Sequence, residues 1–91
     1  MIRSFRHKGL KRLFEGQPRG INASLRHRVE EILFLLDSAS SAESIALPGL
    51  QLHELKGELQ GLWSVAVNKN WRITFRFQED NAIEVDLVDY H

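Results

Sequence analysis

The chain has 91 residues, no cysteine, and twelve basic against twelve acidic side chains, a formal net charge of zero. That length predicts one domain over residues 1–91, near the small end of what supports its own core, and without thiols the core has to come from packing. Disulfide scaffolds and thiolate metal sites are excluded, and no apolar run is long enough to cross a bilayer as a helix.

The zero hides an asymmetry. Residues 1–28 carry eight Lys/Arg and one Glu, net +7; residues 29–60 carry one Lys and six acids, net −5; residues 61–91 carry three basic and five acidic residues, net −2. A basic opening third suits a polyanion or an acidic partner, and equally a solvated basic face. The opening Met-Ile-Arg-Ser-Phe-Arg lacks the apolar core of a signal peptide, so a soluble cytoplasmic protein without membrane contact is expected.

In chain order, Met1 to Phe5 has β-compatible Ile2 and Phe5 and fits an added strand of a sheet. Leu10, Leu13 and Phe14 at i, i+3, i+4 predict a helix of one to two turns, with Lys8, Lys11 and Arg12 on its other faces. Gly16, Pro18 and Gly20 break it. Asn22 is a good N-cap for a longer helix whose stripe is Leu25, Val29, Ile32, Leu33 and Leu36. Ser40-Ser41-Ala42-Glu43 has capping-box spacing, predicting a short third helix to about Leu47 before Pro48-Gly49. Leu50 to Gly57 reads as a short strand ending in a glycine turn.

From Trp63 onward the period becomes two. Trp63, Val65, Val67, Trp71, Ile73, Phe75, Phe77, Ile83, Val85 and Leu87 all fall on odd positions. Three-residue loops at Asn68-Lys69-Asn70 and Glu79-Asp80-Asn81 set Trp63 opposite Phe75, Val65 opposite Ile73 and Val67 opposite Trp71. They also set Phe77 opposite Ile83, Phe75 opposite Val85 and Ile73 opposite Leu87. The prediction is an antiparallel meander with one greasy face, covered by the long helix, and one polar face.

That polar face carries Arg72, Thr74, Arg76, Glu84, Asp86, Val88 and Tyr90. Arg76 faces Glu84, an ordinary solvated pair. Arg72 faces Val88 with Asp86 diagonal, so it has no directly opposed carboxylate; its planar fork suits a phosphate, although a surface Arg without a role is commoner. His53 and Lys56 lie beside Gly57, and Asp89-Tyr90-His91 ends the chain, where fraying is the ordinary expectation. Register puts Asp89 opposite Trp71, near Arg72. A carboxylate, a phenol, an imidazole and a guanidinium at one end of a sheet can move protons and hold a phosphate, as RNA cleavage through the 2′-hydroxyl requires. His7, His27, His53 and His91 have no metal-ligand spacing, and there is neither a glycine-rich phosphate loop nor a nucleophile elbow, so no metal or cofactor is expected. Trp63 and Trp71 fall on the greasy face, where packing outweighs base stacking.

Taken together, Met-Ile-Arg-Ser-Phe-Arg-His-Lys-Gly-Leu, Leu52-His53-x-Leu55-Lys56-Gly57, Gly61-x-Trp63-Ser64-x-x-Val67, Asn70-Trp71-Arg72-Ile73-x-Phe75 and terminal Asp89-Tyr90-His91 resemble the HigB-type toxins of the RelE/ParE superfamily. The resemblance spans almost the whole chain; Gly-Gln-Pro-Arg-Gly-Ile and Ala-Leu-Pro-Gly are loops without a match. It implies an α/β (α+β) fold of the small RelE-like kind, two to three helices on one face of a mainly antiparallel sheet of four to five strands. It implies a ribosome-dependent endoribonuclease that cuts mRNA in the 30S A site, neutralised by a HigA-like helix-turn-helix antitoxin through which alone it meets DNA. By matching position, His53, Lys56, Arg72, Asp89, Tyr90 and His91 form the implied catalytic set. Arg72 and Lys56 would hold the phosphate, and His53, Asp89 and His91 would share the proton transfers, with base and acid unassigned. Tyr90 would orient or stack on the base. The alternative within the fold is a non-cleaving, ParE-like toxin that occupies a protein target such as gyrase.

Overall fold

The structure, a computed structural model, describes residues 1–89. Its elements in order are α1 (Lys8–Phe14), α2 (Ala23–Ser38), a 3-10 turn (Ala42–Ile45), β1 (His53–Glu54), a second 3-10 turn (Gly57–Leu59), β2 (Trp63–Ala66), β3 (Trp71–Gln78) and β4 (Asn81–Asp89). Tyr90 and His91 lie outside the described residues.

Both helices start where side chains can satisfy orphan amides. His7 Nδ1 accepts from the Leu10 amide at 3.2 Å, and Asn22 Oδ1 accepts from the Ser24 amide at 2.9 Å. The predicted stripe of α2 is buried throughout, with Val29, Ile32 and Leu36 fully enclosed. Leu10 and Leu13 of α1 join the same core, whereas Phe14 stays partly exposed. The loop between the helices crosses close to α1. A Cβ on Gly9 would sit 2.8 Å from the Gly20 carbonyl oxygen, and Gly20 itself has φ +93°. Side chains at either place would push the two segments apart.

The four strands pair antiparallel in sequence order, and both helices pack against β4 over one face. Val65, Ile73, Phe75, Val85 and Leu87 point into the core from that face, as alternation predicts. The opening segment adds parallel bridges on the far edge of β4, Ile2 with Ala82 and Phe5 with Val85. Asp37 on α2 anchors it, its Oδ1 accepting from the Ile2 amide at 3.0 Å. The expected added strand is therefore present as two bridges beside a four-stranded sheet.

Two local readings change. The third helix is a single 3-10 turn without a side-chain cap: no capping box forms, and the Ser44 hydroxyl instead donates to the Ser41 carbonyl at 2.6 Å. The second hairpin also turns differently. Glu79 and Asp80 both have positive φ, 50° and 67°, and form a two-residue turn that pairs Gln78 with Asn81. Phe77 therefore faces Ala82, and Arg76 faces Ile83. A bulge at Glu84 (φ 53°) absorbs the extra residue, so that Thr74–Asp86 and Ile73–Leu87 return to the expected register. Ala82, fully buried, takes the core position expected of Ile83.

Candidate active site

The open edge of the sheet is made by residues 50–55 running antiparallel to β2. The Ala66 amide donates to the Leu50 carbonyl at 2.7 Å, His53 pairs with Ser64, Glu54 pairs with Trp63, and the Leu55 amide donates to the Leu62 carbonyl at 2.8 Å. This edge carries His53 onto the same face as Ser64, its cross-strand partner. Thr74 and Asp86 continue that row across the sheet.

Arg72 lies one row away, paired with Ala66 on one side and Val88 on the other. Its guanidinium reaches back over β2. Nε donates to Ser64 Oγ, and Nη2 donates to the Gln51 carbonyl at 2.9 Å. Arg72 faces Val88 with no opposed carboxylate on β4, as expected, but it does not stand as an Arg without an obligate partner: Ser64 on β2 and the Gln51 carbonyl both hold it. The polar face is correspondingly less open than alternation alone suggests, since Ser64 and Thr74 are buried on it.

Gln51, Leu52, His53, Ser64 and Arg72 line a shallow cleft of about 340 Å³. None of the five is acidic, so the cleft offers an imidazole and a held cation to an anionic ligand. Lys56 is exposed and lines the adjoining hollow with Glu54, Leu55, Gly57 and Gln60. In that hollow, Glu54 accepts from the Gly61 amide at 3.2 Å. Arg76, with an ion pair to Glu84 at 3.3 Å, donates to the Gln60 carbonyl at 3.1 Å. The bulge explains why that ion pair forms although the two residues are out of register.

Asp89 is exposed and pairs with Trp71, as expected from sequence. By alternation it shares the face of Trp71 rather than that of Arg72, so the strand ladder alone does not turn its carboxylate into the cleft. Tyr90 and His91 lie outside the described residues. The structure therefore brings His53 and Arg72 together, sets Lys56 in the next hollow, and leaves Asp89 at the strand end one position along. Among the described residues no group of three or more His, Asp or Glu side chains is placed to hold a metal ion.

A family model described as the RelE-like toxin of the type II toxin–antitoxin system HigB matches residues 3–91. The chain belongs to this HigB-like toxin family. It is 42% identical over its full length, and that of its relative, to the Endoribonuclease HigB of Proteus vulgaris. It is 29% identical to Toxin HigB-1 of Vibrio cholerae, over 96% of this chain and 95% of that one. The toxin's fold is shared with a chain of the YoeB-YefM complex from Staphylococcus aureus at a TM-score of 0.64, covering 100% of this chain and 98% of that one at 16% identity.

Ser64 and the Gln51 carbonyl were not among the residues singled out as candidates. Ser64 did carry one signal, a small polar residue on the polar parity of β2 between two large apolar ones. The Gln51 carbonyl left none, because its role depends on a left-handed φ of 51° that no residue type there announces.

Proposed function

We propose that this toxin cleaves mRNA on the ribosome by attack of a ribose 2′-hydroxyl on the adjacent phosphate, with the β1–β2–β3 cleft as the place of reaction. The observation that carries the reading is the juxtaposition of His53 and Arg72 in one cleft of a HigB-family toxin. Endoribonuclease activity is supported by the full-length match to a HigB endoribonuclease. The ribosomal A site, a HigA-like helix-turn-helix antitoxin as neutralising partner, DNA contact through that antitoxin only, and a cytoplasmic setting belong to the same proposal.

In the reaction the 2′-hydroxyl gives up its proton, its oxygen bonds to phosphorus, and the 5′-oxygen of the next nucleotide leaves with a proton. The products are a 2′,3′-cyclic phosphate and a 5′-hydroxyl. Arg72 meets the charge that grows on the phosphoryl oxygens, where a donor already in place stabilises the transition state without reorganising. Lys56 adds charge from the adjoining hollow. His53, Asp89 and His91 share the two proton transfers, and Tyr90 orients the base. Imidazoles and a carboxylate are side chains that commonly serve as general acids and bases. No step needs a metal. The ribosome supplies what a shallow cleft lacks, an ordered codon, and positioning of that kind lowers a barrier by several kcal/mol. The basic first 28 residues, net +7, steer docking onto ribosomal RNA.

Induction of the toxin without its antitoxin tests this reading. Primer extension on cellular mRNA should show discrete cuts inside reading frames, and the upstream fragments should end in cyclic phosphate. Intact mRNA accompanied by DNA damage would instead support a toxin acting on gyrase.

A further inference from the structure

Ser64 is buried, at 2% exposure, in a strand otherwise occupied by Trp63, Val65 and Ala66. A buried hydroxyl in such a place needs a partner, and here that partner is the Arg72 guanidinium. The second hold on Arg72, the Gln51 carbonyl, belongs to the edge segment that β2 itself keeps in place through the Leu50 carbonyl. A planar fork held at Nε and at Nη2 has both its plane and its direction set. Without the hold at Nε, the plane of the fork is less firmly set. Ser64 is also the cross-strand partner of His53, so one residue touches the cation and stands beside the imidazole.

We infer that Ser64 is the positioning residue for Arg72, fixing the guanidinium in the orientation that receives the scissile phosphate, with Gln51 as its backbone counterpart. The inference rests on the proposed nuclease reading and deepens it. It gives a physical reason for a hydroxyl at this buried position: it is the acceptor for the Arg72 Nε–H. Removing the hydroxyl leaves Arg72 present and charged but poorly aimed, and misplacement on the scale of an ångström costs about a hundredfold in rate.

The experiment compares wild type, Ser64→Ala and Ser64→Cys. Alanine deletes the acceptor, while cysteine keeps the side-chain shape with a somewhat larger atom and accepts poorly. Single-turnover cleavage of mRNA on programmed ribosomes is measured beside a thermal melt and the water-exchange rate of the Arg72 Nε–Hε NMR signal. Both variants should cleave about ten- to a hundredfold more slowly. In both, the Arg72 Nε–Hε signal should exchange faster than in wild type while the melt shows a folded protein. Should alanine unfold the chain, the cysteine variant carries the comparison. Wild-type rates in the folded variants overturn the inference, and so does slow cleavage with an unchanged Nε–Hε signal, which would mark Ser64 as a packing residue. If wild type itself cuts nothing, the nuclease reading falls, and the NMR signal still decides whether Ser64 holds Arg72.

Discussion

Strand β3 belongs to two hairpins that treat the same alternating pattern differently. On the β2 side the three-residue loop Asn68-Lys69-Asn70 gives the register that parity demands, because Asn68 Oδ1 accepts from the amides of both Asn70 and Trp71 at 2.9 Å and closes the turn locally. On the β4 side the tight Glu79–Asp80 turn is one residue too short for parity, and the bulge at Glu84 makes up the difference. That bulge is held from far away in sequence: Ser4 Oγ accepts from the Glu84 amide at 2.8 Å, and the Ser4 carbonyl accepts from Val85 at 3.1 Å. The first hairpin closes its own turn and carries Ser64 and Arg72 of the cleft. The second depends on the opening segment and closes the core. Hydrophobic alternation sets register where a face is buried; next to a turn, the local turn geometry overrides it.

The strongest way to break this division is at the residue both hairpins share. Phe75→Ala empties the middle of the buried face and should cost about 3–5 kcal/mol. For a domain of this size that is a large share of total stability, read as a collapse of the melting temperature. A Phe75→Ala protein with an unchanged melt would overturn the core assignment.

Arg72→Ala, on the cleft side, should reduce cleavage by about 10²–10³-fold, the range seen when a single transition-state donor is removed. Because Arg72 also ties Ser64 to Gln51, the melt should drop by a few degrees as well, so activity and stability are to be measured on the same preparation. Full cleavage by the folded variant would remove the phosphate-holding role. Deleting residues 90 and 91 should also abolish most cleavage, with little change in the melt, since Val85 and Leu87 remain to anchor β4. Wild-type cleavage by that truncation would place the proton transfers elsewhere.

Smaller effects separate the two hairpins. Asn68→Ala and Ser4→Ala each delete a side-chain acceptor for backbone amides and should each cost about 1 kcal/mol. Only Asn68→Ala should also slow cleavage, by a few fold, because it loosens the hairpin that carries Ser64 and Arg72. Equal loss of activity in both variants would mean that the hairpins are not separable.

How much of this was legible in the sequence follows from the same contrast. Helix α2 was readable to its cap, since Asn22 and five apolar residues at helical spacing leave little choice. The β2–β3 register was readable for the same reason. The bulge was not, because what stabilises it is Ser4, 80 residues away. The capping box at Ser40 failed because a one-turn 3-10 segment offers no amide geometry for a reciprocal pair. Of the site, His53 and Arg72 could be named but not joined. Their meeting depends on an edge segment whose pairing to β2 rests on backbone hydrogen bonds rather than on side-chain pattern.

Whether the His53–Arg72 cleft cuts mRNA presented by the ribosome, as proposed, is decided by single-turnover cleavage of an end-labelled mRNA, naked or bound in the A site of programmed ribosomes, by wild type and by His53→Ala. Wild type should cut rapidly at one position on ribosomes and far more slowly on naked RNA, and His53→Ala should lose about 10²–10⁴-fold. Equal rates with and without ribosomes, or wild-type rates from a folded His53→Ala protein, would contradict the proposal.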